Sequence, residues 1–237
     1  MIQTEGIFVG GSAISAPIIG EDFNWTGGDG TYQVLDDGGG NWRIKFLSSG
    51  TFTPLKNMVI DVFLVGGGGG AGSSYCGEGG AGYTTTVRSV VLTANTAYPI
   101  VVGAAGTNGN PSSAGGETTA FTASAAGGKN TSNGTSSSKR PGGAGGSGGA
   151  GYVSPVATTT GGTDGGDGTD SATAGGKGQG TTTREFGEAD GALYASGGGN
   201  NLSATVANSG NGGRNGITSI APADGIVVIR QHKEVAA

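Results

Sequence analysis

Apolar positions along this chain come in short runs, and the runs repeat every second residue rather than every 3.6. In 42-WRIKFL-47, Trp42, Ile44 and Phe46 alternate with polar neighbours and so share one face of a strand. The stretch 31-TYQVL-35 alternates in part. Turn chemistry in 36-DDGGGN-41 separates the two, which predicts a hairpin over 31–47. A second pair is expected from 51-TFT-53 and 58-MVIDVFLV-65 around the loop 54-PLKN-57. Further strands are predicted at 83-YTTTVRSVVL-92 and 97-AYPIVVG-103, separated by 93-TANT-96, and at 225-GIVVIR-230. The last of these needs partners, and the only comparable strands lie before residue 103. Helical spacing of apolar residues is absent, as is any capped stretch of good helix formers, so essentially no α-helix is expected.

Between residues 103 and 224 apolar residues thin out and glycine takes over. The chain holds 55 glycines in 237 residues, clustered as 66-GGGGG-70, 142-GGAGGSGGAG-151 and 197-GGG-199. Each costs ~0.5–1 kcal/mol against alanine when fixed in a regular element, so bare backbone must bring a compensating gain. Two readings stay open: irregular glycine-rich loops, or extended backbones packed too closely for side chains. In the second, three-residue-per-turn helices of polyproline-II geometry, without internal hydrogen bonds, pack side by side and bond to one another. Ala and Ser are then the small residues such packing tolerates. Phe121, Tyr152, Phe186 and Tyr194 punctuate the stretch and favour a folded body over a free linker. The expected fold is mainly β and irregular: short antiparallel strands framing a bundle of polyglycine-II helices.

Charge and composition narrow the function classes. Net charge is −5, and only 12% of residues are charged, which separates the chain from charge-rich disordered sequences. No basic stripe is present, so nucleic-acid binding is not expected. The longest apolar run, 58–65, is far short of a membrane helix and contains Asp61. The first twenty residues lack the basic start and apolar core of a signal peptide. Cys76 is the only cysteine and His232 the only histidine, which leaves no intrachain disulfide and no zinc or iron–sulfur ligand set. Collagen would need glycine at every third position and abundant proline; here the register is broken and prolines number 7.

Glycine richness also creates motifs without chemistry. Residues 67-GGGGAG-72 match the dinucleotide fingerprint, but 73-SSYCGEGGAGY-83 cannot supply the helix that must follow. Residues 145-GGSGG-149 match a nucleophile elbow around Ser147, with no base except His232 in the tail. Asp164, Asp167 and Asp170 in 161-GGTDGGDGTD-170 would line one edge of a polyproline-II helix, as a solvated edge or a weak cation site. No paired catalytic carboxylates stand out, and no enzyme, cofactor or metal is expected. The segment 184-REFGEAD-190 with Tyr194 gathers Arg and aromatic residues, the usual anchors of recognition. Arg184, Phe186 and Tyr194 are therefore the candidate receptor-binding residues; the alternative is that the two rings fill gaps between glycine layers.

In 50-GTFTPLKNMVIDVFLVGGGGGAG-72 the chain resembles the glycine-rich domain of phage and prophage tail proteins, of the type encoded by Firmicutes phages. The resemblance continues in order through 80-GAGYTTTV-87, 97-AYPIVVGAAG-106, 178-GQGTTTREFGE-188, 192-ALYASGGGN-200 and 225-GIVVIR-230. It weakens in 200-NNLSATVANSGNGGRNG-216, where expected glycines are replaced, and does not reach residues 1–29. Four regions follow: an attachment segment (1–29), a β-strand framework (30–102), a glycine-rich body with exposed loops (103–224), and a closing strand and tail (225–237). What the resemblance implies is a non-catalytic tail-fibre or tail-tip protein of the virion, working outside the host cell. Its body would display loops to a bacterial surface glycan, teichoic acid or surface protein. Other tail proteins would be its neighbours. Many tail fibres are trimers, and the oligomeric state stays open. The rival readings are a structural virion component that binds no receptor, an ice-binding protein, and a depolymerase.

Overall fold

A computed structural model describes residues 22–28, 30–38, 40–135, 137–152, 159–169, 175–215 and 219–231. Ten strands form two antiparallel sheets. One sheet runs β2 (Tyr32–Gly38), β3 (Asn41–Phe46), β10 (Ile226–Gln231), β5 (Met58–Val65), β6 (Thr84–Leu92). The other runs β1 (Phe23–Trp25), β4 (Gly50–Pro54), β7 (Tyr98–Val101), β8 (Thr118–Ala120), β9 (Ala123–Ala125). No α-helix occurs among the described residues, and their one 3-10 turn is Glu185–Gly187. Residues 1–21 of the expected attachment segment, and the tail beyond Gln231, lie outside the described residues; Phe23–Trp25 is a strand of the second sheet.

The hairpin expected at 31–47 is β2–β3, with Val34 opposite Ile44. The closing strand β10 lies between β3 and β5, with Ile229 opposite both Ile44 and Val62. The expected pairing of 51–53 with 58–65 does not occur. β4 bonds to β1 and β7, so 55–57 crosses from one sheet to the other, as 93–97 does between β6 and β7. Strands adjacent in sequence often pair, but β5 is apolar on both faces and belongs at the centre of a sheet, beside β10 and β6.

The two sheets face each other across a core of Phe23, Phe52 and Ile100 from one side and Ile44, Phe46, Ile60, Val62, Leu64, Val227 and Ile229 from the other. Phe46 and Phe52 meet edge to face at 5.6 Å across it. The outer face of β5 and β10 is covered as well. Phe63, Val65, Ile226 and Val228 pack there against Phe186, Tyr194, Ala195 and Ala81. Burial on both sides explains why these two strands read as nearly unbroken apolar runs.

The glycine body extends from the strand ends as a lattice of polyglycine-II passes. The pass 66–72 shows how it works. Its amide N–H groups point in three directions with a period of three. Gly66 and Gly69 donate to Tyr83 and Gly80, Gly67 and Gly70 to Gly116 and Ser113, and Gly68 to Ala223. The carbonyls complete the set, Gly67 and Gly70 accepting from Gly128 and Thr131, Gly68 and Ala71 from Gly106 and Gly109, and Gly69 from Gly213. One bare backbone thus touches six others. A Cβ on Gly66, Gly67, Gly68, Gly69 or Gly70 would fall within 3.0 Å of the carbonyl oxygen of Ala126, Ala104, Asn211, Lys129 or Thr107. The pass 78–83 repeats the period, donating to Ala150 and Ser147, to Gly213 and Gly210, and to Lys129 and Ala126. Its neighbour 142–151 is not a single pass. It bends at 145–147 and returns, so that Gly149 donates to the carbonyl of Gly143. Ala71, Ala81, Ser147 and Ala150 are fully buried, the small side chains this packing admits.

Gly68→Ala is expected to destabilise the fold by about 3 kcal/mol, because the added methyl meets fixed backbone rather than a yielding side chain. Ala71→Gly, three residues on in the same pass, should cost only ~1 kcal/mol. Thermal unfolding of the two variants distinguishes packed backbone from loose loop, since a loop would tolerate both.

Candidate functional site

The lattice sends its loops to one end. Passes 66–72, 103–109 and 126–131 leave β5, β7 and β9 side by side and parallel, as the Gly106, Gly109, Gly128 and Thr131 bonds to 66–72 show. Each return pass is antiparallel, with Gly67 bonded to Gly116 and Gly70 to Ser113. The turns 73–76 and 109–112 and residues 133–135 and 137–140 therefore gather far from the sheets, joined by Tyr152 and by the bridge between Arg214 and Ile220. Side chains knit them together. The Asn133 Oδ1 accepts from the Ser73 N–H at 2.6 Å, and Gly134 and Arg140 donate N–H to the carbonyls of Ser74 and Tyr75. Asn108 accepts from Ala71 and donates to the carbonyls of Arg214 and Ile220.

At this end Tyr75 stacks on Tyr152, ring centroids 5.8 Å apart and planes 24° from parallel, and the Lys139 ammonium lies 5.0 Å from the Tyr152 centroid. Tyr75 is still 41% exposed, and its φ of +48° is a backbone conformation that bulky residues rarely adopt. Just beneath lies Glu78, 3% exposed, whose carboxylate accepts the Asn215 N–H at 2.6 Å. Burial pushes its pKa up to about 7, against the Asn215 hydrogen bond and the charge of Arg214. Burial, with the Glu78 charge, also pushes the Cys76 thiol up to about 11, so that it stays protonated and a poor nucleophile.

The residues singled out in the sequence lie at the opposite end. Phe186 is 2% exposed and Tyr194 8%, both packed on Phe63 with centroids at 6.0 and 5.5 Å. Both rings fill the gap between the first sheet and the segment 183–195, and Phe186 also borders the cleft beside that segment. Arg184, partly exposed, reaches Asp164 at 3.3 Å and the Gly191 carbonyl at 3.0 Å. The segment acts as a strap over the sheet, and its acids meet the sheet's cations. Asp61, fully buried in β5, takes Arg88 at 3.0 Å and Arg230 at 3.2 Å. Arg230 also forms a two-pronged bond to Glu188 and lies 4.1 Å over the Phe186 ring. Buried Glu185 meets Arg43 at 2.5 Å and the Tyr194 hydroxyl at 3.2 Å, and that hydroxyl also accepts from Lys45.

A cleft of about 210 Å³ beside the strap is lined by Phe186 and by the charged residues Asp37, Arg43, Glu185, Glu188, Asp190 and Arg230. Arg43 is already paired with Asp37 and Glu185, and Arg230 with Glu188 and Asp61. Asp164 and Asp167 do not converge on a cation; Thr182 and Arg184 hold the first, Lys177 and the Gly178 N–H the second. Asp170 lies outside the described residues. No cluster of three or more His, Cys, Asp or Glu placed to hold a metal occurs among the described residues. Ser147 is buried in the bundle, where its hydroxyl accepts the Gly165 N–H, and 67–72 is the central pass of the lattice. The loop-end aromatic pair was not legible as a pair because Tyr75 and Tyr152 are distant along the chain; the signals available were Tyr152 as a mark of a folded body and a lone tyrosine inside 73-SSYC-76.

Glu78 makes stability depend on pH. Its folded pKa of about 7 exceeds its ordinary 4.5, so the folded chain holds the proton more tightly. Stability is then greatest below about 4.5, falls as pH rises to about 7, and is level above. The fall is about 1.4 kcal/mol for each step of one in pH between those two values. Glu78→Gln should remove that fall and raise the melting temperature at pH 8, which melting curves across the window test directly. Phe186→Ala is expected to cost about 3–5 kcal/mol through lost packing against Phe63 and Arg230, measured by denaturant unfolding.

Among curated proteins no sequence matches this chain. The profile of the glycine-rich domain matches residues 47–230, from the residue after β3 into the closing strand, and leaves β1, β2 and β3 outside it. With its polyglycine passes and two-sheet frame in place, the chain belongs to the glycine-rich domain family.

Proposed function

We propose that this protein is a tail-fibre or tail-tip component of a bacteriophage virion that recognises the host surface without catalysis. The observation that carries the reading is the polarity of the molecule: sheets at one end, a rigid glycine lattice, and interlocked polar loops with an exposed tyrosine at the other. Loops held by a stiff scaffold suit recognition, because their sequences vary without disturbing the packing behind them. The ordered blocks shared with phage tail proteins support the setting, and the family match over 47–230 supports the glycine-rich body. The ligand on this reading is a bacterial surface glycan, teichoic acid or surface protein, and the sheet end faces the rest of the tail.

A purely structural virion role is the second reading. Val91, 71% exposed, stands opposite exposed Val59 at the sheet end, an apolar pair that favours a neighbouring chain there.

The deciding experiment is a pull-down of fluorescently labelled protein on a panel of Gram-positive cells and their isolated walls. Saturable, strain-selective binding is expected. Uniform absence of binding would leave the structural role.

A further inference from the structure

Deepening the adhesin reading and resting on it, we propose that the loop end binds an anionic, phosphate-bearing saccharide polymer. Tyr75 is the stacking surface, and Lys139 and Arg140 are the phosphate partners.

Three independent features meet there. The first is the ring itself. Among the large apolar side chains left exposed in the described residues, Tyr75 is the only aromatic one. One face lies on Tyr152, and the ring still keeps its exposure, which is the arrangement a sugar ring needs to lay its C–H groups on an aromatic surface.

The second is rigidity. Tyr75 sits at φ +48° and is pinned on both sides, by the Gly134 N–H on the Ser74 carbonyl and the Arg140 N–H on its own. A bulky residue in this conformation costs ~1–3 kcal/mol and persists where its surroundings hold it; such positions cluster at binding sites. A ring already fixed loses little entropy when a ligand arrives.

The third is charge. The protein carries a net −5, yet the described loop-end residues 73–76, 107–113, 132–135, 137–140, 152, 214–215 and 219–220 contain Lys139, Arg140 and Arg214, and the carboxylate that adjoins them, Glu78, is buried beneath and bonded to the Asn215 N–H. The other described acids lie in the strap (Glu185, Glu188, Asp190), in and around the sheets (among them Asp22, Asp36 and Asp37) and within the glycine body (Asp164, Asp167, Asp224). The exposed charge beside the ring is thus positive, which draws an anionic polymer to that end. Arg140 is exposed at the same turn as Lys139, and Arg is suited to phosphate through its planar fork of donors. Apart from Pro111 and Cys76, the rest of that exposed surface is Ser, Thr, Asn and Gly, which hydrogen-bond to polyols and lack the large apolar anchors of a protein interface. A nucleic acid would ask for a longer basic track and several stacking rings.

The test uses the full chain with isolated Gram-positive walls, before and after hydrogen fluoride strips their phosphodiester polymers, and with soluble glycosylated poly(glycerol phosphate). Binding to intact walls and to the soluble polymer is expected. It should be lost on stripped walls and should weaken as salt rises from roughly 0.1 M to roughly 1 M, which shortens screening from about 10 to about 3 Å. Tyr75→Gly suits the positive φ and should melt like the parent; with the double variant Lys139→Ala, Arg140→Ala it should lower affinity for the soluble polymer by about tenfold or more. Undiminished binding to stripped walls, or variants that bind as the parent does, would overturn the phosphate-glycan assignment and leave the adhesin reading standing. Loss of wall binding on protease treatment would then identify a protein receptor. A parent chain that binds neither cells, walls nor polymer would overturn both.

Discussion

Hydrogen bonding between bare backbones is the constraint on which the rest of this structure depends. A β-strand bonds to two neighbours in one plane, and its side chains occupy the other two directions. A polyglycine pass has no side chains to place, so its N–H and C=O groups point around the axis and engage six neighbours, as 66–72 does. Each net bond is worth only ~1 kcal/mol, but leaving a buried backbone group unpaired costs ~1–3 kcal/mol. Every amide of a central pass must therefore find its partner, and a single methyl that separates two passes removes several bonds at once. Chain entropy lost at each glycine is offset by this saturation rather than by hydrophobic burial. It also explains why a chain so poor in apolar residues beyond 103 forms a packed body.

The sheets solve a different problem. A lattice of glycine passes has no side chains to set its register, and Phe46, Phe52, Ile60 and Leu64 in the sandwich core supply one. Three outgoing passes begin at the ends of β5, β7 and β9, and two return into β6 and β8, so strand pairing positions them before any glycine packs. The strap ties frame to lattice. Phe186 and Tyr194 seal the outer face of β5, and Glu185 and Glu188 neutralise Arg43 and Arg230, whose partner Asp61 is fully buried. A buried ion network of this kind adds little net stability compared with apolar packing. It does fix one docking of the strap, because any other would part buried Glu185 from Arg43 and Glu188 from Arg230.

Much of the frame was legible because strands carry their own signature. Trp42, Ile44 and Phe46 alternate, the runs at 58–65 and 226–229 are apolar on both faces, and the last strand had partners only before residue 103. Pairing was less legible, since β4 and β5 are adjacent in sequence and yet belong to different sheets. The glycine runs announced close packing, but the bend at 145–147 carries no signal, because glycine serves a pass and a turn equally well. The packing of the strap was not legible, for a physical reason. Phe and Glu in a polar loop look like a recognition surface until their partners are known, and those partners, Phe63, Arg43 and Arg230, are far away in the chain. Asp61 inside an apolar strand and Arg230 at the end of another were the hint that cations and acids must converge there.

The loop end was hidden because it is created by register alone. Residues 73–76 and 133–140 meet only because their passes leave the sheets in parallel and have equal length, so that Ser73 reaches Asn133 and Tyr75 reaches Arg140. The same register lets a strained tyrosine persist: the lattice holds both flanks of the turn, so the cost of a positive φ is borne by a scaffold that cannot relax around it. A change of side chain within these turns leaves the backbone bonds that position them intact. A change in the passes does not. Side-chain changes are thus best tolerated on the surface farthest from the sheets.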